Sequence, residues 1–122
     1  MKFVQTDYLN TKTVLKFPDH VVSIAVTMDD TGVTANADGK KIVPCGTIIG
    51  GIGGKALADD TLPVGLQNDT DAEGVLLNDV DVTYGPASGA MVIHGFIDLG
   101  KLPTAPDPAA VTALAGRIVF MK

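Results

Sequence analysis

The feature that most limits this chain is how often its extended runs are broken. Fourteen glycines and seven prolines punctuate 122 residues, too many for a helical bundle. Between the breaks, apolar residues recur with period two. Val22, Ile24, Val26 and Met28 alternate with Val21, Ser23, Ala25 and Thr27, the pattern of a half-buried strand. Asp29-Asp30-Thr31-Gly32, Asp38-Gly39 and Gly85-Pro86 read as turns, with Asp38-Gly39 a strong hairpin signal. Short strands are expected at 33–35, 41–43, 47–49, 75–77 and 80–84, and a longer one carries Met91, Ile93, Ile97 and Leu99 on one face, with His94 and Asp98 on the other. The alternation changes parity near Asn78-Asp79, which predicts a bulge or bend there. Residues 59–74 read as a loop.

One helix is marked by its ends. Asp107 suits the N-cap, Pro108 the first helical position and Gly116 the stop, with Val111, Leu114 and Ala115 on one face. A last short strand is expected at 118–120. With aromatics at 5% and no tryptophan, the core must be built from Val, Ile, Leu and Ala. The fold class is therefore mainly β: a small barrel or sandwich of short strands with one short C-terminal helix. By length it is one domain, assigned to residues 21–122. Residues 1–20 are read separately, as an N-terminal arm or an opening hairpin. They hold Phe3, Val4, Tyr8, Leu9, Val14, Leu15 and Phe17 among lysines and threonines.

Residues 46–55, GTIIGGIGGK, raise the question of a phosphate-binding turn. A Walker-type loop closing on Gly54-Lys55 requires glycine at Ile49 and a hydroxyl at Ala56, and it fails at both. The dinucleotide spacing G-x-G-x-x-A does occur at Gly51, Gly53 and Ala56. However, Pro63 and Gly65 cut short the helix that must follow. The glycines are instead expected to serve positive φ or close backbone approach.

Net charge is −5 and uneven. Lys2, Lys12 and Lys16 face only Asp7 in the first 17 residues, whereas 59–81 hold seven acids and no base. Such a body argues against a nucleic-acid partner. Asp69, Asp71 and Glu73 with Gly74 partly match a calcium loop, but its twelfth position is Val80, so a solvated acidic turn is expected. No apolar run is long enough for a membrane span, and the N-terminus has no signal-peptide core, which reads as a protein assembled in a cytoplasm. The single cysteine, Cys45, reads as a small buried residue.

Site chemistry is sparse. His94 on a strand reads as a hydrogen-bonded structural residue, and His20 falls in a linker. Two histidines and one cysteine without C-x-x-C or H-x-x-x-H make a poor zinc set, and there is no G-x-S-x-G elbow. No catalytic, metal or cofactor residue is assigned, and no enzyme activity is expected. Two other readings remain: a biotinyl- or lipoyl-type carrier with a lysine after Asp38-Gly39, and a small hydrolase using His94 and a carboxylate.

The segments GKKIVPCGTIIGGIGG, EGVLLNDVDV and MVIHGFIDLGKLP occur in that order in a small acidic β protein. This arrangement resembles the capsid decoration proteins of tailed bacteriophages related to the phage lambda head-stabilising protein. The likeness covers about residues 38–122 and rests on strand patterns and glycine positions. Cys45 stands where that pattern often has alanine. The resemblance implies a β-tulip-like fold. It also implies a non-enzymatic structural protein of the virion that binds the outside of an assembled capsid and stabilises it as a homotrimer, with the major capsid protein as partner. Phe3, Tyr8, Leu15 and Phe17 are then the expected apolar anchors, and Lys12 and Lys16, with Lys2, the charges that meet the shell.

Overall fold

The computed structural model describes residues 14–17, 19–59 and 61–121. The candidate interface residues Phe3, Tyr8 and Lys12 lie outside them. Eight strands and one short α-helix follow in the order β1 (Val21–Met28), β2 (Ile42–Val43), β3 (Ile48–Gly51), β4 (Val64–Leu66), β5 (Gly74–Leu76), β6 (Val80–Asp81), β7 (Ala87–Asp98), α1 (Pro108–Leu114) and β8 (Ile118–Met121). Pairing runs β1-β4-β3-β5-β7 and closes through β7 on β1, so five strands form a closed barrel. β7, the longest strand, holds β1 antiparallel from Met28↔Ala87 to Val21↔Gly95, and holds β8 parallel from Gly95↔Ile118 to Asp98↔Met121. β2 and β6 make a separate two-stranded sheet.

Burial explains this layout. One cluster draws on all five barrel strands through Met28, Val64, Ile49, Leu76 and Met91, and it is the barrel interior; Val43, Val80 and Val82 of the small sheet and its flank join it. A second cluster contains Ile48, Val75, Val92 and Ile97, the outward neighbours on the same strands, covered by Ala110 and Leu114 of α1, Ile118 of β8 and Val14. Successive residues point to opposite faces of a strand. Here both faces are buried over β3, β5 and the middle of β7, so runs such as Ile48-Ile49 and Val75-Leu76 are apolar without alternation.

The helix ends match the expectation: the Asp107 side chain accepts from the Ala109 amide at 3.0 Å and Pro108 opens the helix. Its buried face is Ala110 and Leu114; Val111 faces out, because the helix lies on the barrel through the i, i+4 pair. Three expectations need correction. Met91 and Ile97, expected on one face of a strand, pack in the inner and the outer cluster respectively, because the β1–β7 ladder shifts register at Val22/Ser23. Residues 33–35 pair with no strand, since the Asp38-Gly39 turn closes locally, Asn36 N–H to the Lys40 carbonyl at 2.8 Å, and the chain beyond it joins β6 instead. The stretch read as a loop at 59–74 contains β4, whose Gly65 carries no side chain because Ile52 Cδ1 lies where a Cβ would come within 2.7 Å. The parity change at Asn78-Asp79 marks where the chain leaves the barrel sheet after β5 for the small sheet at β6.

Gly46 shows how tightly the outer layer is set. It has φ +89, its amide donates to the Leu76 carbonyl at 2.8 Å, and an added Cβ would lie 2.8 Å from Val14 Cγ1 and 3.0 Å from Pro103 Cδ. Gly39 has a similar φ, +75, with nothing within 4 Å. Gly39→Ala is therefore expected to cost about 1 kcal/mol for backbone strain alone. Gly46→Ala should cost more, about 2–3 kcal/mol, because crowding adds to strain. Chemical denaturation of the two variants measures the difference; equal losses would show that the Val14 and Pro103 contacts yield freely.

Candidate docking surface

The glycine-rich stretch does cradle an anion, and the anion is the protein's own. Glu73 is buried at the start of β5. Its Oε2 accepts from the amides of Gly51 at 2.5 Å and Ala56 at 2.9 Å, and its Oε1 from Leu57 at 3.0 Å. Ala56 and Leu57 open a single helical turn closed by the amides of Ala58 and Asp59 onto the Lys55 carbonyl, so Glu73 satisfies donors that such a turn leaves unpaired. Gly51 has no room for a side chain: a Cβ would fall on the Gly54 carbonyl oxygen and lie 2.6 Å from the Ala56 amide nitrogen. At Gly50 a Cβ would fall on the Asp71 carbonyl oxygen. Of the four glycines only Gly53 has positive φ, +81. Lys55, the residue that suggested phosphate, pairs with Asp71 at 3.7 Å on the surface.

Burial pushes the Glu73 carboxyl up, but the amides of Leu57, Ala56 and Gly51 and the charge of Lys55 outweigh it and hold Glu73 below the ordinary glutamate value of 4.5. The main chain of Glu73 is tied as well: its amide donates to the Ile49 carbonyl at 2.9 Å, and its carbonyl accepts from Arg117 Nη1 at 2.8 Å.

The acidic stretch is likewise used within the chain. Asp29, Asp59 and Asp81 each accept from a threonine two residues on, Thr31, Thr61 and Thr83, and those bonds hold all three carboxyls below the ordinary aspartate value. Asp69 accepts from the Asp71 amide at 2.8 Å while Glu73 turns inward, so the three acids of the calcium-like stretch do not converge. Among the described residues no group of three or more His, Cys, Asp or Glu is placed to hold a metal ion. Cys45 is buried, its amide donating to Asp79 Oδ1 at 2.7 Å.

What the body offers outward is an aromatic and apolar face where the N-terminal segment meets the barrel. Leu15 bridges Ile97, the Asp98 amide donates to the Val14 carbonyl at 2.7 Å, and the Lys16 amide donates to the Phe96 carbonyl at 2.9 Å. Val14 is fully buried and Leu15 half-buried against the outer core, Lys16 is exposed, and Phe17 is 46% exposed. The Phe17 ring stands edge-on to Phe96 with centroids 5.3 Å apart. Val22 lies opposite His94 in the ladder, and Phe96 lies opposite Val119. Val22 and Val119 are both about half exposed, 50% and 47%. His20 and His94 complete the face, their Nε2 atoms 3.2 Å apart. The sequence alone marked Phe17 and Lys16 here. Val22, Phe96 and Val119 carry no local signal, because their meeting depends on the β1–β7–β8 order.

No protein-family model matches the chain, and no curated protein matches it.

Two outcomes test the Glu73 cradle. Glu73→Gln places an amide N–H₂ against one of the three donors and should cost about 1–3 kcal/mol at neutral pH. A carboxyl whose pKa is lowered on folding adds stability above its unfolded value and loses it as pH falls through the lowered one. The parent should therefore weaken as the pH drops below about 4.5, and the gap between parent and variant should narrow over the same range. Denaturation midpoints measured from pH 7 to pH 3 check this; a constant gap would mean that Glu73 is not the titrating group.

Proposed function

We propose that this protein is a structural component of a tailed-phage virion, docking on the outer surface of the assembled capsid as a homotrimer and stabilising it. The observation that carries the reading is the face of exposed Phe17, Val22 and Val119 around half-buried Phe96, beside the N-terminal segment. An apolar face of this kind on a small β domain is suited to burial against another protein. The three segments that resemble decoration proteins supply β2 and β3, then β5 and β6, then the second half of β7 with the turn after it, which together form much of the barrel wall and the small sheet. The N-terminal segment extends the contact. Its apolar residues Phe3 and Tyr8 and its lysines Lys2 and Lys12 would meet the major capsid protein, with Phe17 and Lys16 at the junction. Leu15 would then contribute mainly by holding that junction to β7. Lysine contacts make docking salt-sensitive.

The carrier reading is the weaker one. Lys40 ends a local turn whose chain continues into the two-residue strand β2, and the usual sequence context of a modified lysine is missing.

Two experiments test the proposal. In co-sedimentation with shells of the major capsid protein, Phe17→Ser with Val119→Ser should lower affinity at least tenfold, equivalent to about 1.4 kcal/mol. The pair should melt within a few degrees of the parent, since both side chains are about half exposed. Deleting residues 1–13 keeps Val14 and its bond to Asp98. That truncation should fold and lose most shell binding. Full binding by both variants would overturn the proposed interface, and failure of the parent to sediment with shells would overturn the function. Threefold density on the shell tests the trimer.

A further inference from the structure

His20 and His94 are 74 residues apart in sequence and adjacent in space. His94 is exposed on β7 opposite Val22, and His20 immediately precedes β1. Their Nε2 atoms lie 3.2 Å apart with ring centroids at 5.1 Å, and both side chains are exposed. The His20 ring also packs at 5.4 Å from Phe96, which in turn packs against Phe17. Gly95 permits the approach: a Cβ there would lie 3.2 Å from the His20 carbonyl oxygen, tighter than side chains normally tolerate. The ladder between β1 and β7 shifts register at Val22/Ser23, beside the pair. Two imidazoles are thus directed at each other by packing and by backbone geometry.

We infer that His20 and His94 form a two-imidazole chelate for a borderline divalent cation, copper(II) or zinc(II), at the protein surface. The geometric argument is direct. With metal–nitrogen bonds of about 2.05 Å, nitrogens 3.2 Å apart subtend an angle of about 100° at the metal, between the square-planar and tetrahedral values. Both ligands are Nε2 atoms, so each ring keeps its proton on Nδ1, and the ion takes the place of the hydrogen bond between the rings. Among the described residues no third acidic, cysteine or histidine side chain joins them, so water fills the other positions and the site stays open. Imidazole donors favour copper(II) over zinc(II) in affinity. The bound ion would clamp the start of β1 to β7 next to Phe17 and Phe96, within the proposed docking face. The inference does not depend on that face having a capsid partner.

The test uses the full-length, untagged protein, since a polyhistidine tag would itself bind the ion. Calorimetric titration with CuCl₂ and with ZnCl₂ should give one ion per chain, copper the tighter. Copper EPR of the parent should show two equivalent nitrogen ligands. His20→Gln and His94→Gln should each lower affinity about 100-fold, because a single imidazole loses the chelate. Both side chains are exposed, so the variants should melt like the parent without metal, and only the parent should gain melting temperature when the ion is added. Copper or zinc binding at parent strength in either variant would overturn the assignment, as would a parent that binds neither ion at roughly 100 µM. Because these readouts need no shells, their failure is separate from failure of the capsid reading.

Discussion

The carboxylate of Glu73 is the fixed point around which the barrel closes. It joins the end of β3, the turn after it and the start of β5 through three amides, while its own main chain reaches β3 and Arg117. Arg117 is the chain's single arginine and lies between α1 and β8. One residue therefore ties the barrel wall to the layer that covers it. A buried carboxylate is tolerable only when its oxygens are matched, and backbone amides do this without a counter-charge that must itself be buried. The glycines follow from the same requirement. The amides can converge on Glu73 only where Gly51 carries no Cβ. Gly50 leaves room for the Asp71 carbonyl, and in the bend that follows Gly53 alone of the four takes positive φ.

The second constraint is a barrel wall buried on both faces. Its interior is filled by Met28, Ile49, Val64, Leu76 and Met91, and its outer side is covered by α1, β8 and Val14 along one sector only. On the other side of the sheet from that cover, Val22, His94 and Val119 are exposed and Phe96 is half-buried, because they alternate with Val21, Ile97, Ile118 and Phe120, which pack in or against the covered cluster. The exposed face is thus the side of β7 and β8 that α1 does not cover. Its composition, aromatic rings beside a histidine pair and half-exposed valines, differs from the acidic turns elsewhere, whose carboxylates are engaged with amides and hydroxyls two residues on.

This division suits a protein that works through a surface. The core and the Glu73 cradle hold the short strands together, and the residues of the proposed contact gather where the N-terminal segment joins β7. Leu15, half-buried against the core, holds the segment in place, and Phe17, two residues later, faces out. An interface built on a sheet face needs little reordering on binding, which favours affinity per unit of buried area.

Features that depend on near neighbours in sequence were legible from the sequence alone. β1, the extended course of β5 and β7 and the caps of α1 follow from period, Asp107, Pro108 and Gly116, but not the opposite sides on which Met91 and Ile97 pack. The mainly β class follows from the frequency of breaks, and the failure of Lys55 to complete a phosphate motif follows from Ile49 and Ala56. Only the tertiary structure decided the rest. β4 was hidden because a three-residue strand, Val64-Gly65-Leu66, just after Pro63 owes its form to pairing with β3. Glu73 read as one solvated acid among seven, since the amides that make it a buried anion come from 16 to 22 residues away. The histidines read as separate, since 74 residues divide them. Local backbone preference and period act over a few residues and are written in the chain. The barrel's closure, the anion's cradle and the outward face arise from burial and pairing between distant strands, which no single segment encodes.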